Sequence, residues 1–186
     1  MFEGWDNYFL MLGGAAGSLI GLLFVVVTLT GNVERSRALR GSAIYLTPTM
    51  VHFAVALTAS AVAEAPRIDP HVAALVLAGA ALAGLGNAIR TCFGIGELSH
   101  GGDPPHWSDV WMYGGTPAAI YVALLIDAGT MWAARPFAVG ALAVLVMVLL
   151  LVAIRNAWDL ITWMAPGRDT PSSGPPPVGP RPSARG

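Results

Sequence analysis

The sequence predicts an all-α fold, a polytopic integral membrane bundle of five transmembrane helices with the N-terminus out and the C-terminus in. Three observations predict it. First, of 186 residues 55% are hydrophobic and only 11% charged, against about 25% charged in an ordinary soluble domain, and the mean hydropathy is +0.62. Second, five apolar stretches approach the roughly 20 residues that a spanning helix needs. Third, the arginines between those stretches are unevenly placed. Sheet is a poor alternative, because open strands leave backbone groups unpaired in lipid and these runs do not alternate.

The expected spans are 8–31, 42–64, 71–92, 109–133 and 136–160, together a membrane domain over 1–165. Tyr8 to Gly31 holds no charged residue. Gly41 to Ala63 holds none except the ionisable His52. Val72 to Ile89 is clean and ends at Arg90. Val110 to Ile126 is clean, meets Asp127 and runs on to Ala134, but "GGTP" at 114–117 interrupts it. That interruption predicts a helix start or kink near the inner interface; local unwinding beside a cavity is the other outcome, since irregular backbone at membrane depth must be covered. The fifth stretch contains "ALAVLVMVLLLVAI", the most lipid-like run in the chain. Beyond it, 166–186 is rich in Pro, Gly and Ser and is expected to be a disordered cytoplasmic tail.

Positive residues mark the cytoplasmic side. Arg35, Arg37, Arg40, Arg90, Arg155 and Arg168 fall on one side of a five-span arrangement, and Arg67 and Arg135 on the other. The first group defines the inside, which needs an odd number of spans between the two termini. Interfacial aromatics agree: Trp5, Tyr8 and Trp132 at the outer edge, and Tyr45, Trp107, Trp111, Trp158 and Trp163 at the inner edge. The start of the chain carries Glu3 and Asp6 in place of a positive n-region, so no cleaved signal peptide is expected. A net charge of −1 provides no basic footprint for nucleic acid. The single cysteine, Cys92, cannot form an internal disulfide.

Gly13, Gly17 and Gly21 lie four apart, on one face of a helix, with Gly14 and Ser18 beside them. The stripe covers about 12 Å. In lipid, helices associate by close van der Waals contact, which small residues allow. The first helix is therefore built for close approach. Its partner is either a helix of the same chain, such as the small face Gly79–Ala83–Gly86, or a second subunit.

Ionisable residues at membrane depth are functional candidates by default. His52 lies roughly 15 Å into the second span, near the midplane, with Pro48 four residues earlier, where a kink is expected. Tyr45, Thr49, His52, Ala56 and Ser60 share one face, which should turn from lipid. This face is either a relay for a proton or ion, histidine titrating near neutral pH, or a neutral interhelical hydrogen-bonding surface. Asp127, about 10 Å from the outer surface, is expected to pair with Arg135 or Arg67 or to line a vestibule. Asn87 and Arg90 share a face near the inner interface. Arg155, Asn156 and Asp159 form a second inner cluster, with Arg155 and Asp159 one turn apart.

Glu97, His100, Asp103, His106 and Asp109 recur at three-residue steps in the third loop. Gly101, Gly102, Pro104 and Pro105 bar a helix there, and the spacing matches no zinc pattern, so no metal is expected. No G-x-S-x-G, phosphate-cradling loop or H-E-x-x-H occurs, so neither catalytic residues nor a cofactor are expected.

The opening "GWDNYFLMLGGAAGSLIGLLFVVVTL" resembles the first helix of a group of small bacterial membrane proteins that begin with an aromatic–acidic pair, continue with small residues and reach "GLLFV". Some of these carry a label as modulators of a membrane-bound AAA protease. The resemblance covers about the first 30 residues and a similar span count, and it implies a bacterial inner-membrane protein. The expected function is a non-enzymatic, self-associating membrane protein that forms or gates a pathway for an ion or small solute. The alternative is an accessory or regulatory subunit of another membrane protein or membrane protease. A pore predicts converging polar faces, an accessory subunit predicts an outward small face over a dry interior, and an intramembrane enzyme predicts two titratable groups in hydrogen-bond reach at one depth. The expected partners are the lipid bilayer and either a second copy or another membrane protein.

Overall fold

The computed structural model describes residues 2–30, 35–98 and 111–164, with the helical backbone alone at 30, 35–45, 95–98, 163 and 164. Five α-helices follow one another: α1 (Asp6–Thr30), α2 (Arg35–Glu64), α3 (Pro70–Leu98), α4 (Thr116–Trp132) and α5 (Ala138–Met164). A π-helical turn, Trp111–Gly115, leads into α4. No strand occurs among the described residues.

Four helical segments are long and apolar enough to cross a membrane: Asp6–Leu29, Leu46–Glu64, Pro70–Gly94 and Ala138–Thr162. The expected fourth span, 109–133, is not one α-helix. Its α-helical part has 17 residues, about 26 Å by rise against a hydrocarbon core of about 30 Å. The reason lies in "GGTP": Pro117 has no N–H to donate back to the preceding turn, which suits the first positions of a helix. The ladder therefore restarts at Thr116, and the π turn fills the space before it.

Local chemistry sets the other ends. Asp69 caps α3, its Oδ1 accepting from the backbone N–H groups of His71 (2.8 Å) and Val72 (3.3 Å), and Pro70 takes the first helical position. Those two N–H donors hold the Asp69 carboxyl below the ordinary carboxylate range. At the end of α4, Ala134 takes a left-handed conformation, φ 53°. Its N–H donates to the Met131 carbonyl (2.9 Å) and that of Arg135 to Thr130 (3.0 Å). This is the Schellman bonding pattern, with alanine at the position that usually holds glycine. Helix α2 runs unbroken through Pro48, which is buried.

The helices run up and down. One end of the bundle gathers the start of α1, the α2–α3 turn and the α4–α5 turn: Phe2, Glu3 and Asp6 face Ala63–Ile68, and Trp5 faces Ala134–Leu145. His71 and Trp132 meet edge to face there, ring centroids 4.5 Å apart. An aromatic cluster of Phe2, Trp5, Tyr8 and Phe9 seals this end, and Tyr8 Oη donates to the Ala143 carbonyl of α5 (3.1 Å). Gly4, at φ +86°, makes the turn that folds Phe2 back under it. Helix α2 packs on α1, α3 and α5, while α4 packs on α3 and α5. Phe9, Leu12, Phe53, Tyr121, Met131, Leu142, Val146 and Leu149 form the fully buried centre. Outside, Leu10, Leu22, Phe24, Leu29, Leu82, Phe93, Leu151 and Trp158 are exposed, the surface that a bilayer would cover.

The glycine stripe divides. A Cβ on Gly13 would stand 3.0 Å from the Ser60 Cβ, so Gly13 serves the α1–α2 contact. Gly14, Gly17 and Gly21 have open space at that position, as do Gly79 and Gly86 on α3. The expected packing of the α1 stripe on Gly79–Ala83–Gly86 is therefore corrected: α1 lies on α2 and α5. Ser18 is exposed and donates to the Gly14 carbonyl of its own helix (2.8 Å).

Candidate functional site

The polar face of α2 points into the bundle. Thr49, His52, Ala56 and Ser60 are all at 0–2% exposure. His52 lies about 18 Å from the Glu64 end by helical rise, and Tyr121 about 16 Å from the Trp132 end of α4. The two helices run the same way through the bundle and reach similar depths, so the side chains meet: His52 Nδ1 and Tyr121 Oη are 2.6 Å apart. The direction of the bond follows the histidine tautomer. In either tautomer His52 Nε2 is buried with no partner.

Gly84 of α3 makes room for this pair. Its missing side chain is the space that the Tyr121 ring occupies, and any Cβ there would run into the ring carbons. The site is thus assembled from three helices. His52 was legible in the sequence; Tyr121 and Gly84 were not singled out. A signal existed for Tyr121, since interfacial tyrosines sit at span ends and this one lies in the middle of "AAIYVALLID".

Asp127 corrects an expectation. Its carboxyl is buried (4% exposed) and has no arginine partner among the described residues. Arg67 and Arg135 sit on the exposed turns at the same end. Asp127 Oδ1 accepts instead from the Thr130 hydroxyl (3.2 Å), and Oδ2 is buried with no partner. Ser60 Oγ, at a similar depth on α2, is also unpartnered.

Two further groups lie toward the other end. The Asn87 Nδ2 atom is buried without a partner, while Arg90, one turn on, is exposed. The Arg155, Asn156 and Asp159 cluster separates by helix face. Arg155 and Asp159 form an ion pair of 3.2 Å, about half exposed, of the kind worth little in stability. Asn156 turns fully inward, where its Nδ2 donates to the Met112 carbonyl (3.3 Å) and its own carbonyl accepts from Tyr113 Oη (3.2 Å). It ties α5 to the π turn. A side chain on Gly114 would meet the Cys92 sulfur of α3, which fixes the turn from the other side. Asn156 Oδ1 remains buried and unpartnered.

Buried polar atoms without partners thus recur at three levels: Ser60 and Asp127, then His52 with Tyr121, then Asn87 and Asn156. No group of three His, Cys, Asp or Glu side chains able to hold a metal occurs among the described residues. His100, Asp103, His106 and Asp109, the side chains of Glu97, Arg35, Arg37, Arg40, Tyr45 and Trp163, and Trp107, Arg168 and the tail 166–186 lie outside the described residues. No family model, curated protein or solved structure matches the chain.

Proposed function

We propose that this chain is a non-enzymatic, self-associating protein of a bacterial inner membrane, crossing it five times with the N-terminus out, that forms or gates a pathway for an ion or small solute. The carrying observation is the His52–Tyr121 contact at mid-depth, with a second histidine nitrogen left unsatisfied. An ionisable side chain at the centre of a bilayer costs about 2.5–3.5 kcal/mol or more, and apolar side chains would pack the same space without that cost. The further unpartnered atoms above and below extend the polar series along the bundle. The ion that suits this interior is the proton. His52 and Tyr121 are both at 0% exposure, so a hydrated ion has no room beside them, whereas a proton needs only hydrogen-bonding groups within reach. The same sealing disfavours an intramembrane enzyme, although two titratable groups do meet at one depth. No substrate touches them unless helices part.

The test is proton flux into proteoliposomes, followed with an enclosed pH-sensitive dye under an imposed potential. Wild type should exceed empty liposomes, His52→Gln should abolish the excess and Tyr121→Phe should reduce it, with helix content kept. Wild-type flux equal to empty liposomes, or undiminished flux in His52→Gln, would sink the pathway reading.

One observation favours the second reading, an accessory or regulatory subunit of another membrane protein or membrane protease. Gly14, Gly17 and Gly21 leave a small, uncovered face on α1, while the fully buried centre is mostly apolar. Native mass spectrometry of wild type beside Gly17→Leu separates the two. A discrete homo-oligomer that falls to monomer supports self-association, and a wild-type monomer supports a different partner.

A further inference from the structure

A groove of about 900 Å³ opens on the side of the bundle at the Trp5 end. Its walls are Trp5, Phe137 and the start of α5, including Val144 and Leu145, and Arg135 and Pro136 line it from the turn before α5. The volume is at the upper end of the roughly 300–1,000 Å³ of small-molecule sites. From Val139 to Leu145 the groove follows α5 for about 9 Å by helical rise, about a third of a hydrocarbon core of about 30 Å. It therefore runs from the turn before α5 to within one leaflet.

The charge on that turn is uncompensated. Arg135 makes no ion pair among the described residues. The acids nearest in sequence to the Trp5 wall, Glu3 and Asp6, line a separate pocket with Arg67. Below the arginine the lining is apolar, with Phe137 and Val144 each about 60% exposed. A cation above an apolar trough within one leaflet matches an anionic headgroup with an acyl chain beneath it. A second protein helix is the poorer occupant, because it would cover Arg135 without supplying a counter-charge, and a charge buried in that way is costly. We propose that this groove retains one anionic phospholipid, its phosphate on Arg135 and an acyl chain along Val139–Leu145 between Trp5 and Phe137.

Trp5 sets the position of this lipid at the interface, as indole rings do, and Tyr8, bonded to the Ala143 carbonyl, holds the α1 wall to α5. The proposal is independent of proton flux and has its own readout. The full chain is placed in nanodiscs of equal phosphatidylglycerol and phosphatidylcholine, released, and its lipid adducts are weighed by native mass spectrometry. Wild type is expected to carry one phosphatidylglycerol, with a preference of about fivefold, the equivalent of about 1 kcal/mol for one arginine near the surface. Arg135→Gln is expected to bind both lipids alike. Val144→Trp, which fills the trough from an exposed position, is expected to lose the adduct, while Leu10→Trp on another exposed face keeps it. Wild-type adducts that follow the bulk composition would overturn the proposal. So would an unchanged preference in Arg135→Gln, or adducts retained by Val144→Trp.

Discussion

His52 of α2 and Tyr121 of α4 stand 69 residues apart in the chain and 2.6 Å apart in the bundle. Nothing else titratable is available to either side chain at that depth. Helices α1, α3 and α5 carry no charged or ionisable residue in the corresponding parts of 8–29, 72–89 and 136–154, apart from the Tyr8 hydroxyl at one end. The pair consequently joins α2 to α4 by a polar contact across the middle of the core, and its loss has a defined structural cost.

Replacing Tyr121 with Phe keeps the ring and removes the hydroxyl. Both histidine nitrogens are then buried without a partner. An orphaned buried group costs about 1–3 kcal/mol, so the variant should unfold that much more easily in a detergent titration. A loss below a few tenths of that range would mean that water or another group already serves His52.

Gly84→Ala places a methyl group where the Tyr121 ring lies. Overpacking of this kind costs about 1–3 kcal/mol. Combining it with Tyr121→Leu, which vacates the space, should cost less than the sum of the two single changes, because contacting positions couple. Strict additivity in unfolding measurements would show that the close approach is not what holds Gly84.

Ala134 occupies a left-handed position at the end of α4. A left-handed conformation costs a non-glycine residue roughly 1–2 kcal/mol, and glycine adopts it freely. Ala134→Gly should therefore raise the stability, by up to about 1 kcal/mol, without altering the Met131 and Thr130 bonds. A lower melting temperature for this variant would contradict the assignment.

The Asp69 cap should make the start of α3 sensitive to acid. Its carboxyl pKa is lowered by the His71 and Val72 N–H groups from an ordinary value of 3.8. A lowered folded-state value means that the contribution is fully present above pH 3.8 and is lost as pH falls from there through the folded value. Amide exchange at His71 and Val72 should rise over that interval in wild type. In Asp69→Asn, which keeps an acceptor but no charge, the same interval should be flat.

Much of the architecture was readable in advance. The apolar runs placed the helices, and the "GGTP" interruption marked the helix start at Thr116. The polar spacing from Thr49 to Ser60 identified an inward face of α2, because helical periodicity alone puts those residues together. Partners were harder. Charge alone points Asp127 to an arginine or to a vestibule, yet the structure gives it Thr130, since a hydroxyl one turn along the same helix reaches it and the arginines lie outside on the turns. Proximity in sequence groups Arg155, Asn156 and Asp159, but a 100° rotation per residue sends Asn156 inward while Arg155 and Asp159 stay outside.

What the sequence determined by itself is what depends on neighbours along the chain: helix content, the apolar surface and the position of each polar residue along its helix. What only the tertiary structure decided is which side chains meet: Tyr121 on His52, Gly84 behind Tyr121, Gly13 on Ser60, Asn156 on the π turn. The physical reason is that lipid does not distinguish one apolar helix face from another. The rotation and vertical register of each helix are then set by side-chain contacts between segments far apart in sequence, and hydropathy carries no record of those.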